Sequence, residues 1–268
     1  MTRASATRWW FVPLALLSAT AVGQAPAVGA TQPADALDLV RGRAVYRDAC
    51  ESCHGRDGDG RGPEASQLTP RPRNFVSGSF KFRSTASGDR PLVDDVVRTV
   101  STGIRGTWMP AFGAILSTSD VRAVSAWVLS LGPKGEPPER LVPAPGTLQV
   151  LPDTAELRER GKALYETLKC GQCHGPEGRG DGPASKAVDD QGVSIAPLDF
   201  TVGLYKGGSS PEDVYRTFVT GLDGTPMPSY GDSLPKEEDR WALVHYVRSL
   251  SRSPGLFRWL FGPRTPWE

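Results

Sequence analysis

The sequence has no marked excess of either charge, no long apolar run in its body, and very few side chains that can ligate a metal through nitrogen or sulfur. Lysine and arginine number 31 against 30 aspartates and glutamates. That balance argues against a nucleic-acid partner, which asks for a basic excess gathered on one face. No apolar stretch reaches the roughly 20 residues that a membrane-crossing helix needs. The longest runs from Trp9 to Val22 and lies close to the start. There are four cysteines, three histidines and three methionines, one of them Met1.

The first thirty residues read as a targeting segment. Arg3 and Arg8 precede the apolar run, and Val28-Gly29-Ala30 is a small-residue cleavage site. No twin-arginine pair is present, so general secretion is the expected route. Cleavage there removes two arginines and no acid, which leaves 29 basic and 30 acidic side chains, a formal balance of −1. The expected location is the periplasm. A mean hydropathy of −0.32 suits a soluble body, and about 238 residues are enough for two domains.

An exported chain with an even number of cysteines normally predicts disulfides. The spacing here argues otherwise. "CESCHGRDGDGRGP" starts at Cys50 and "CGQCHGPEGRGDGP" at Cys170, and together they use every cysteine and two of the histidines. Cys-x-x-Cys followed at once by His reads as a c-type haem attachment site. A redox dithiol has no need of the adjacent histidine. A structural zinc site would need both segments to combine, which gives too many ligands for one tetrahedral ion. Thiols of Cys50 and Cys53 would join the haem vinyl groups as thioethers, and His54 would reach the iron from one face. Cys170, Cys173 and His174 would repeat this, for two covalently bound haem c groups.

The motifs belong to a longer duplication. "RGRAVYRDAC" matches "RGKALYETLKC", "NFVSGSFKF" matches "DFTVGLYKG", and "DDVVRTVSTGIRGTWMPAFG" matches "EDVYRTFVTGLDGTPMPSYG". Each half closes on an amphipathic segment with acids in its first turn, "SDVRAVSAWVLSLG" and "EEDRWALVHYVRSLS". Residues 133–152 between the halves are rich in Pro and Gly and read as a linker. The expected organisation is a signal peptide at 1–30, domains at 31–132 and 153–252 on either side of that linker, and an apolar tail at 253–268. Each unit reads as a helix, the attachment loop, a long irregular loop with a short helix, and a closing helix. A unit of about 100 residues has a thin core of its own, so a haem would supply much of the apolar interior.

Met109 in "GTWMPAFG" and Met227 in "GTPMPSYG" stand 55 and 53 residues after their histidines, and no methionine is left over beyond Met1. Histidine and methionine are the usual second ligands of such an iron, so these two methionines are the expected partners of His54 and His174. His245 is the rival in the second half. The first half has Ala126 in its place and manages without, so His245 reads as a packing or surface histidine. The loop "GRDGDGRGP" suggests calcium through Asp57 and Asp59, but Arg61 and Leu68 break the EF-hand pattern. Its glycines fit a tight turn against a haem edge. Gly42 and Gly161 suggest close packing of first and closing helices, with Tyr46, Trp127, Tyr165 and Tyr246 near the contact.

With these residues in view, each half resembles a class I cytochrome c domain, on "CESCHG" with "GTWMP" and "CGQCHG" with "GTPMP". Over residues 35–251 the chain resembles the tandem dihaem cytochromes c of bacterial respiratory chains. The resemblance implies an all-α fold of two tandem domains, each wrapped around one covalently attached haem. It implies single-electron transfer between a redox donor and acceptor, as a carrier or as the electron-transfer subunit of a larger oxidoreductase. It also implies His54 with Met109, and His174 with Met227, as the axial ligands. A dihaem enzyme of peroxidase type is the alternative. It needs an open iron position, which both methionines would block. A cysteine-ligated dihaem enzyme has no cysteine to use. The likeness leaves two segments unexplained: "FKFRSTASGDRP", and the tail after Arg252, whose Leu256, Phe257, Trp259, Leu260 and Phe261 would either fold back or dock on a membrane-bound oxidoreductase subunit.

Overall fold

A computed structural model describes residues 38–251 apart from Pro145. The targeting segment at 1–30 and the apolar tail at 253–268 lie outside the described residues. The first half contains α1 (Leu39–Ala49), α2 (Glu51–His54), α3 (Val93–Thr102) and α4 (Thr118–Ser130). The second contains α5 (Ala155–Thr167), α6 (Gly171–His174), α7 (Pro211–Thr220) and α8 (Glu237–Ser249). The fold is all-α. Among the described residues, the strands are two-residue pieces, β1 (Ala187–Val188) and β2 (Ser194–Ile195), paired antiparallel. Among the described residues, no helix is long and apolar enough to cross a membrane.

The helix starts are written in the sequence. The Asp38 carboxylate accepts from Arg41 N at 2.8 Å, the Ser117 hydroxyl from Asp120 N at 3.1 Å, and the Thr154 hydroxyl from Leu157 N at 3.2 Å. Ser210 and Asp213 cap each other's backbone ahead of α7, whose first residue is Pro211. Each such cap satisfies an N–H that the helix leaves orphaned.

Within each half, the first and last helices cross, α1 on α4 and α5 on α8. Glycine makes the approach possible. A side-chain carbon on Gly42 would come within 2.8 Å of the Ala123 carbonyl carbon and 2.9 Å of Trp127 Cβ. On Gly161 it would come within 2.6 Å of the Ala242 carbonyl carbon and 2.7 Å of Tyr246 Cβ. Two apolar cores result. One gathers Val45, Tyr46, Phe75, Val96, Val100, Val121, Val124 and Val128. The other gathers Tyr165, Phe200, Tyr205, Val214, Phe218, Trp241 and Val244. Each such fully buried apolar side chain contributes about 1.5–3 kcal/mol.

Residues 133–152 contain no helix or strand among those described, yet they are pinned to both halves. Leu141 N and Val142 N both donate to Ser84 O, at 2.7 and 2.9 Å, while the Val142 side chain is buried in the second core. Arg140 reaches Ser84 Oγ at 3.0 Å and Asp94 at 3.4 Å.

The halves also meet directly. Arg83, with no exposed surface, donates to Thr220 O at 2.7 Å and pairs with Asp223 at 2.8 Å. Ser87 Oγ and Gly88 N donate to the same carboxylate at 3.0 and 3.1 Å. Arg73 pairs with Asp190 at 3.1 Å, and Arg98 bridges to Asp213 and to Gly207 O. Positions equivalent in the duplication face one another: Phe82 crowds Gly207, Arg98 lies near enough to Arg216 to repel it, and Lys81 likewise to Lys206. Contact between like positions marks an isologous interface, here between two copies within one chain.

Candidate functional site

The first site is built where α1 ends. Cys50 follows that helix, and the single turn of α2 carries Cys53 and His54. The chain then reverses through Gly55, Gly58 and Gly60, with φ of 82°, 74° and 78°, a region that favours glycine. Gly60 N returns to His54 O at 2.8 Å, and Phe75 N reaches Gly58 O at 2.7 Å. The loop thereby sets Phe75 flat against the histidine, with ring centroids 4.4 Å apart. Tyr46 Oη donates to Gly55 O at 2.7 Å and ties the loop back to α1.

His54 Nδ1 lies 3.1 Å from Arg73 O. A carbonyl can only accept, so Nδ1 carries the proton and Nε2 is left as the nitrogen available to a metal. Burial pushes the imidazole pKa down, which keeps it neutral. Met109 lies in the loop after α3. Its N–H meets Thr107 Oγ1 at 3.2 Å, and its carbonyl accepts from Ile104 N at 3.0 Å. Cys50, Cys53, His54 and Met109 line one apolar cavity of about 350 Å³ with Phe75, Phe80, Val96, Val100 and Phe112.

The second site repeats these contacts nearly one for one. His174 stacks on Phe200 at 4.3 Å and its Nδ1 lies 3.1 Å from Leu198 O. Gly180 N returns to His174 O at 2.8 Å, and Tyr165 Oη donates to Gly175 O at 2.6 Å. Met227 N meets Thr225 Oγ1 at 3.2 Å. Cys170 and Met227 pack against the same apolar core. Burial lowers the His174 pKa as well.

Burial, aided by the Cys53 neighbour, pushes the Cys50 thiol up to about 12; burial pushes that of Cys170 to about 11. Redox dithiols and zinc ligands work as thiolates with lowered pKa. Among the described residues, no three His, Cys, Asp or Glu side chains converge as a metal-binding group. The donor set fits a covalently held haem: paired thiols and a neutral imidazole with an anchored Nδ1 share an apolar cavity with a thioether.

The Cytochrome c family matches residues 158–251, and the family described as Cytochrome C oxidase, cbb3-type, subunit III matches residues 38–128. The chain belongs to the cytochrome c family. This tandem cytochrome is 26% identical over 217 residues to the Cbb3-type cytochrome c oxidase subunit FixP of Azorhizobium caulinodans, covering 80% of this chain and 61% of that one. Its likeness to the Cbb3-type cytochrome c oxidase subunit CcoP of Rubrivivax gelatinosus is 27% over 228 residues, covering 83% and 60%. The tandem cytochrome therefore spans about three fifths of the length of these relatives. A chain of the Kuenenia stuttgartiensis reducing HAO-like protein complex superposes with a TM-score of 0.72 at 41% identity, over 79% of this chain and 96% of that one. Two cytochrome c domains imply two covalently bound haem c groups.

The sequence marked the thiols, the histidines and the methionines. It did not mark Phe75 and Phe200 as their stacking partners, or the carbonyls of Arg73 and Leu198 as anchors. "NF" and "DF" at matched places in the repeat were the available signal. His245 is buried, and its Nε2 meets Leu151 O at 2.9 Å. It is a packing histidine that ties the end of the linker to α8.

Proposed function

We propose that the tandem cytochrome transfers single electrons between larger redox partners, as the electron-transfer subunit of an oxidoreductase or as a carrier serving one, on the periplasmic side of the membrane. Cys50 and Cys53 would hold the first haem through thioethers, with His54 and Met109 as the ligands of its iron. Cys170 and Cys173 would hold the second, with His174 and Met227. The haem iron supplies a one-electron redox couple when bound. The residues of the chain do the rest. Arg73 O and Leu198 O orient the imidazoles, Phe75 and Phe200 fix their ring planes, and the apolar walls exclude water. The methionines raise the potential relative to a second histidine.

The observation that carries this reading is that one constellation, a carbonyl-anchored histidine stacked on phenylalanine beside two half-buried thiols and a backbone-fixed methionine, is built twice. Electron transfer needs no open iron position, and two methionines leave none. The relatives whose printed names are oxidase subunits, and the neighbour from a redox complex, support a partner that is itself an oxidoreductase. Trp108 lines the first cavity and is 62% exposed, so apolar surface meets solvent beside that site. Small contacts of this kind suit transient redox encounters.

Intact mass of the purified protein should show two added haems that survive denaturation. Met109→Ala should open one iron to small ligands such as imidazole and lower its potential, with the other unchanged. A single added haem, or a Met109→Ala protein that excludes added ligand, overturns the assignment.

A further inference from the structure

Lys81 and Lys206 occupy matched places in "SFKF" and "LYKG", one in each half. Both line the first cavity, together with Cys50, Cys53, His54 and Met109. Lys206 is therefore a residue of the second half at the site of the first. Neither ammonium has a carboxylate within ion-pair distance among the described residues. The nearest acids have other tasks. Asp190 pairs with Arg73 at 3.1 Å, and Asp189 Oδ1 accepts from Gln191 N and Val193 N, each at 3.0 Å. Burial drives the pKa of both lysines down, and Arg73 and Lys206 add to the effect on Lys81.

Lys81 is half-buried and Lys206 exposed at the rim of the cavity. A half-buried cation without an anion costs free energy, and a second cation close by adds to that cost. The interface shows how such a pair is normally resolved: Arg98 and Arg216, also matched in the duplication, share the Asp213 carboxylate. Asp189 lines the same cavity and, with Asp190, partly offsets the lowering at Lys81, but no carboxylate is shared by the lysines as Asp213 is by the arginines. The group this cavity fits brings carboxylates of its own, since haem carries two propionates.

We propose that Lys81 and Lys206 form a cation pair that receives the propionate carboxylates of the haem in the first cavity, so that the second half completes the site of the first. The inference rests on the reading that Cys50 and Cys53 hold a haem there. A cation against those carboxylates disfavours the oxidised, more positive iron, so its loss lowers the potential of that haem.

The test uses the full chain in its mature form. Intact mass comes first: fewer than two haems in the unaltered protein sinks the underlying reading, whatever the lysines do. With two haems present, the potential of each is measured by spectroelectrochemistry, the first haem being the one whose features Met109→Ala alters. Lys206→Met should lower the potential of the first haem, Lys206→Arg should restore it, and Lys81→Met should act in the same direction. Lys162→Met removes an exposed cation elsewhere and should leave it in place. If Lys206→Met fails to mature, Lys206→Gln serves in its stead. An unchanged first potential in the Lys206 variant, or an equal fall in Lys162→Met, overturns the proposal.

Discussion

At the scale of single residues, each site depends on one tyrosine that no chemistry requires. Tyr46 and Tyr165 are almost fully buried, and their hydroxyls satisfy the carbonyls of Gly55 and Gly175 in the reversing loops. Tyr46→Phe leaves a buried carbonyl without its donor and should cost about 1 kcal/mol in urea unfolding, with both haem spectra retained. His245→Ala loses the bond to Leu151 O and should cost a comparable amount. It should leave both irons six-coordinate, and a ligand-accessible second iron would show that His245, not Met227, is the axial partner. Thiols, histidines and methionines were legible in the sequence because their chemistry is local and was written twice. The anchors were not, because Arg73 and Leu198 contribute only backbone carbonyls, 19 and 24 residues from the histidines they hold. Residue identity carries no mark of that role.

At the scale of elements, the repeat gave the order of helices, and the caps gave their starts. The crossing of first and last helices was legible too, because a glycine in the middle of an otherwise good helix is costly without a packing reason. Gly161→Ala tests this. Its new methyl group meets the Ala242 backbone rather than a flexible side-chain end, so α5 must shift away from α8. The expected loss is roughly 1–3 kcal/mol, read as a lower melting temperature. Gly42→Ala should behave alike in the first half. The two-residue strands β1 and β2 escaped the sequence reading because so short a pair has no periodicity to detect.

At the scale of the whole molecule, the stretch "FKFRSTASGDRP" has its explanation. It supplies Lys81, Phe82, Arg83, Ser87 and Gly88 to the interface between halves. Nothing in the sequence announces contacts spanning 137 residues, so an interface arginine looked like any surface charge. Arg83→Ala leaves Asp223 and the Thr220 carbonyl without their shared donor and should cost roughly 3 kcal/mol. Denaturant unfolding should report that loss while both haem spectra persist. The two cores draw on separate segments, with Val142 belonging to the second. Residues 31–135 and 136–268, exported separately, should each take up one haem and be less stable than the intact chain. If neither half matures, the cores depend on one another for folding.

The Arg83–Asp223 pair also says something about ancestry. Its image under the duplication would join Gly208 to Arg105, and neither can make the bond. Two copies of the first half would set Arg83 toward Arg105, cation against cation, while two copies of the second would leave Asp223 facing a glycine. The present bond can form only between unlike copies. No pair of identical copies with the present residues can make it, so the single bond seen today depends on the copies having diverged. Since then the halves have been bound to each other by preference as well as by peptide, and neither can be exchanged for a second copy of its twin without losing that match.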